Sequence, residues 1–154
     1  MIYEPPHILI VEAVFYKDLA DKLAEEAIKT LQEMGADYER LSVPGAFEIP
    51  AAIRYAMDSG KYDGYVALGC VIRGETTHYD YVCGESARGL GELGIHYKAA
   101  IGYGIVTVEN KAQAEARILG EKRSTGAAAA RACLEMVAIK KKFGVTDLEL
   151  LPND

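Results

Sequence analysis

DGYVALGCV, residues Asp63–Val71, is the stretch whose reading decides the fold. Past Asp63 it carries no charge, and it is shorter than an ordinary helix. A strand covered by helices on both faces needs such a run. Outward from it, HILIVEA (His7–Ala13) and AAIGYGIVT (Ala99–Thr107) carry the same signature, and Asp37–Val43 reads as a fourth strand without that apolar continuity.

Between these runs the apolar period lengthens to three or four. Leu19, Leu23, Ala27, Leu31 and Met34 form a core-facing stripe, ended by Gly35. Ile49, Ile53 and Met57 repeat the pattern before Gly60, and a third helix is expected over Thr77–Leu93. Asn110, followed three residues later by Gln113, resembles a capping box opening a helix through Leu119. Ala127–Phe143 makes the last helix through Ala130, Leu134 and Val137, and residues 145–154 read as a loose acidic tail. The sum is a three-layer α/β sandwich of flavodoxin-like type, a four-stranded parallel sheet flanked by about five helices. Its ligands belong beyond the carboxyl ends of the strands.

Composition narrows the partners. A chain of 154 residues with no repeat or linker fits one domain over 1–154, its core spanning about residues 7–143. A hydrophobic fraction of 50% against 26% charged sets it apart from disordered chains. The net charge of -6 argues against nucleic acid, and the basic run Lys140–Lys142 is explained as a solvated helix end. Cys70, Cys83 and Cys133 are odd in number and widely spaced, which suggests neither a disulfide framework nor a zinc site. The opening MIYEPPHILIVEA fits neither a signal peptide nor a membrane span, so a soluble cytoplasmic protein is expected.

Four loops leave strands at the ligand edge. Phe15 and Phe47, in the first and second, either cap the core or clamp a flat heterocycle by stacking. Glu48, beside Gly45 and Ala46, is either a first-turn acid favoured by the helix dipole or an acceptor for sugar-like hydroxyls. In the third loop Gly74 admits a ligand close to the backbone, Thr76 or Thr77 can cap the helix, and unpaired first-turn amides favour an anion such as phosphate. His78 follows at once, either a surface residue or a proton carrier suited to neutral pH. The fourth loop carries Thr107, Glu109 and Asn110 into a helix bearing Arg117, which either lies along the surface or reaches a phosphate as a bidentate donor. Tyr103 points either into the core or toward a ring in the site.

Taken together, PGAFEIP (44–50), ALGCVIRGETTHYDYVC (67–83) and GIVTVENKAQAEAR (104–117) resemble the lumazine synthase family, over nearly the whole chain. The resemblance implies a transferase of riboflavin biosynthesis that condenses 5-amino-6-(ribitylamino)uracil with 3,4-dihydroxy-2-butanone 4-phosphate. It implies no metal and no redox cofactor. By the same resemblance Phe15 stacks on the pyrimidine, backbone groups at Val71 and Ile72 read its edge, and Ala46, Phe47 and Glu48 hold the ribityl chain. Gly74, Glu75, Thr76, Thr77 and Arg117 match phosphate-binding positions, His78 the proton-transfer residue, and Tyr103 an aromatic contributed by a neighbouring subunit. The family assembles as homopentamers or multiples of them, with active sites at subunit interfaces.

This chain departs from the family pattern at Thr125, where a lysine is usual before the glycine now numbered Gly126; Lys122 and Arg123 lie close by. Tyr16 and Gly84 stand where asparagines are common. These changes bear on substrate affinity more than on reaction type. The competing readings are a non-catalytic flavin- or lumazine-binding module and a shell-forming paralogue. A flavodoxin-type electron carrier fits less well, since VEAVFYK after the first strand lacks a glycine.

Overall fold

Strands form where the apolar runs stand. The computed structural model describes residues 4–119 and 124–145. In chain order these build β1 (His7–Ala13), α1 (Lys17–Glu33), β2 (Asp37–Val43), a 3-10 turn (Ala46–Glu48), α2 (Ile49–Met57), β3 (Gly64–Ile72), α3 (His78–Ile95), β4 (Ile101–Val108), α4 (Lys111–Leu119) and α5 (Thr125–Lys142). The sheet is parallel throughout, in the order β2-β1-β3-β4. This is the three-layer α/β sandwich expected, with five α-helices among the described residues.

Strand alternation divides the core in two. Ile8 and Ile10 pack with Leu23, Leu31, Val66, Leu68, Ala130 and Cys133 on one face, under α1, α4 and α5. Leu9 and Val11 pack with Ile49, Ile53, Ala67, Leu90 and Leu93 on the other, under α2 and α3. β2 lacks apolar continuity because it is an edge strand, and most of its residues are exposed.

Several boundaries move, for local reasons. Met34 was expected on the buried stripe of the first helix, yet it caps the helix and is 47% exposed. Gly35 adopts φ +78 and its N–H bonds the Gln32 carbonyl, so the chain turns away one residue too early for Met34 to face inward. The last helix opens at Thr125 rather than Ala127, because the Ser124 hydroxyl accepts the Ala127 N–H at 3.1 Å and caps it. α3 continues to Ile95, past the expected Leu93.

α5 lies close on the sheet and on α1. A Cβ added at Gly102 would stand 1.9 Å from the Ala129 carbonyl oxygen, and one at Gly126 would stand 2.3 Å from that of Leu23. Only glycine permits either approach. Glu12 is a buried acid that strand periodicity places on the same face as Ile8 and Ile10. Arg40, reaching from β2, donates to both its oxygens at 2.8 and 2.7 Å, which offsets the desolvation of the buried charge.

Parallel pairing brings all four strand ends to one edge. The chain passes from β1 outward to β2 and later from β3 outward to β4, so the order reverses between β1 and β3. A crevice at that reversal is where an open α/β sheet binds its ligand.

Candidate active site

The crevice is a cleft of about 590 Å³, and the first three loops meet in it. β1 delivers Phe15 and Tyr16, the loop after β2 delivers Pro44 to Glu48, and the end of β3 contributes Cys70, Val71 and Ile72. Gly74, Thr76 and His78 close it from the β3–α3 loop.

Phe15 is 75% and Phe47 57% exposed, so neither caps the core; both line the cleft. Tyr16 meets Phe15 edge to face, ring centroids 4.9 Å apart. Ala46 is buried, and the Glu48 N–H bonds the Gly45 carbonyl at 3.2 Å, forming the 3-10 turn. A Cβ at Gly45 would stand 3.2 Å from Glu48 Oε2, so glycine leaves room for that carboxyl.

The His78 N–H donates to Thr76 Oγ1 at 3.3 Å, so Thr76 supplies the side-chain contact. Thr77 occupies the cap position without a side-chain bond, and its carbonyl accepts from Asp80 and Tyr81 instead. Gly74 has open space where a side chain would stand.

Not every expected residue reaches the cleft. Glu75 and Thr77 are exposed but are not among the cleft-lining residues. Arg117, in the last turn of α4, donates to the Gln113 carbonyl of its own helix at 3.3 Å. Tyr103 is half exposed on β4, opposite Ala67 in the ladder; burial first, then the neighbouring Cys83 and Tyr79, pushes its hydroxyl above the ordinary value. Thr125 donates to the Arg117 carbonyl at 3.4 Å, tying the start of α5 to α4. Lys122 and Arg123 lie outside the described residues.

Sequence reading missed Cys70, Tyr79, Tyr81 and Val82 as lining residues. A signal existed for two of them: Tyr81 and Val82 follow His78 at three and four positions, the spacing of one helical face. Burial pushes the Cys70 thiol up to about 11, so it stays protonated at neutral pH and is no nucleophile.

Two exposed aromatic rings, a carboxylate and a helix start with a histidine therefore share one cleft. Such an arrangement can hold a planar polar ring beside an anion and move a proton between them. A family model described as 6,7-dimethyl-8-ribityllumazine synthase matches residues 5–141. The chain is 51% identical over 140 residues to the 6,7-dimethyl-8-ribityllumazine synthase of Bartonella tribocorum, covering 90% of this chain and 93% of that one. It is 53% identical over 144 residues to the protein of that name from Agrobacterium fabrum, covering 90% and 97%. Identity to 6,7-dimethyl-8-ribityllumazine synthase 1 of Rhizobium meliloti is 50% over 146 residues, covering 92% and 95%.

Proposed function

The chain belongs to the 6,7-dimethyl-8-ribityllumazine synthase family, and from that premise we propose how its cleft carries out the reaction. The enzyme condenses 5-amino-6-(ribitylamino)uracil with 3,4-dihydroxy-2-butanone 4-phosphate, releasing phosphate and water. The supporting observation is the convergence of Phe15, Glu48 and His78, from three separate loops, on one cleft.

Phe15 stacks on the pyrimidine, while backbone groups at Val71 and Ile72 read its edge. Ala46, Phe47 and Glu48 hold the ribityl chain. The loop from Gly74 to Thr77 binds the phosphate of the second substrate, helped by Arg117 once its bond to the Gln113 carbonyl is exchanged for the anion. His78 moves protons as the imine forms, phosphate departs and the ring closes. Holding amine against carbonyl removes most of the entropy cost of bringing two small polar reactants together.

The protein works as a cytoplasmic homopentamer or a multiple of one. Tyr103, half exposed and outside the cleft of its own chain, serves the site of a neighbour. The test is steady-state formation of the lumazine product, followed by absorbance. Turnover by the native protein, with Arg117→Ala raising KM for the phosphate substrate about tenfold, supports the assignment. Tight binding of a lumazine without turnover would replace it with a binding module.

A further inference from the structure

Arg73 was not among the residues singled out in the sequence, and it does not line the cleft. Its contacts nevertheless join two segments that the proposed mechanism needs in fixed relation. Nε lies 2.6 Å from Glu109 Oε2, beyond the end of β4, and Nη2 lies 3.2 Å from Asp80 Oδ1, in the first turn of α3. The guanidinium also covers the Tyr79 ring at 4.4 Å. Its own backbone N–H bonds the Val108 carbonyl at 2.9 Å, extending the β3–β4 pairing past the last ladder pair.

Contacts continue from both ends of this bridge. Tyr79, next to His78, lines the cleft beneath the Arg73 guanidinium. The Glu109 N–H donates to Gln113 Oε1 at 2.9 Å, and the Gln113 carbonyl accepts from Arg117 at 3.3 Å. One continuous set of contacts therefore runs from the turn carrying His78, through Arg73, to the helix carrying Arg117. The loop between β3 and α3, residues 73–77, is exposed.

We propose that Arg73 is a positioning residue: it fixes the His78 turn against the β4–α4 loop and neutralises Asp80 and Glu109, the carboxylates it bridges beside the loop assigned to the phosphate. This inference rests on the functional reading above. Exposed ion pairs add little to global stability, so the role lies in geometry and local charge. Arginine suits both tasks, because its planar fork spans two carboxylates while its face stacks on a ring; lysine keeps the charge but lacks the fork and the planar face.

The test separates these tasks. Arg73→Ala is expected to lower kcat and raise KM for the phosphate substrate, each by between about tenfold and about a hundredfold, with KM for the pyrimidine nearly unchanged. Adding Glu109→Gln to Arg73→Ala brings the phosphate-substrate KM partly back while kcat stays low. Arg73→Lys restores that KM more than it restores kcat. A merely structural arginine gives no such rescue. Native values in Arg73→Ala, or equal rises in both KM values with no effect of Glu109→Gln, would overturn the proposal. Hydrogen exchange reads the clamp without activity: amides of residues 74–80 exchange faster in Arg73→Ala, and unchanged exchange also overturns it. A native protein that makes no lumazine would instead count against the reaction, leaving the exchange result to decide the clamp.

Discussion

Among single residues, the roles separate by kinetic parameter. His78 occupies an exposed helix start with its N–H on Thr76, so removing its side chain leaves the fold and takes away the proposed proton carrier. His78→Ala is expected to lower kcat by between about tenfold and about a hundredfold, with little change in either KM. Phe15→Ala should raise KM for the pyrimidine by about tenfold or less, the loss of one stacked ring, and leave KM for the phosphate substrate alone. Steady-state kinetics with each substrate varied in turn checks both. That His78 and Phe15 stand at the cleft was legible in the sequence, because each is the distinctive residue of a loop that leaves an apolar strand. Cys70 was not, because a strand residue shows from sequence only that it alternates, and its place at the cleft depends on where β3 ends.

Among elements, the closest packing is that of α5 on the sheet. Gly102→Ala forces a Cβ against the Ala129 carbonyl and is expected to lower stability by about 3 kcal/mol. Gly84, mid-way along α3, has open space where its Cβ would stand, so Gly84→Ala should raise stability by about 0.5–1 kcal/mol. Denaturant midpoints of the two variants test the pair, and equal shifts would refute this account of the packing. At the far end of the sheet the Tyr62 hydroxyl donates to Glu39, and that bond, with His7 and Lys61 nearby, holds the carboxyl below its ordinary value of 4.5. A depressed carboxyl stabilises the fold above its ordinary pKa, and that contribution is lost as pH falls through the folded value. Tyr62→Phe should therefore melt below the native protein at pH 7, and the gap should close as the pH drops below about 4.5. Melting temperatures measured from pH 7 down to pH 3 follow it. Element types were legible because apolar period is a local property. Cap positions were less so: the Ser124 hydroxyl caps α5 although Thr125 stands beside it, and at α3 Thr77 holds the cap position while the side-chain contact to His78 comes from Thr76.

For the whole molecule, the proposed sharing of Tyr103 between subunits has a direct test. A pentamer of 16.7 kDa chains should sediment at about 84 kDa. Tyr103→Ala and His78→Ala chains, each poorly active alone, should regain about a quarter of native sites when dissociated, mixed and reassembled, because some interfaces then pair an intact His78 with a neighbour's intact Tyr103. No recovery on mixing would place Tyr103 in its own chain's site. The sequence by itself determined the layered fold, the two apolar faces of the sheet and the loops that meet at the cleft, since each is written in spacings of two, three or four residues. Only tertiary structure decided that Glu12 meets Arg40, that Arg73 bridges Asp80 and Glu109, and that Arg117 and Tyr103 stand outside the cleft of a single chain. Glu12 and Arg40, like Arg73 and Glu109, stand far apart in the chain, and strand order and register, which no local pattern records, bring them within reach of one another.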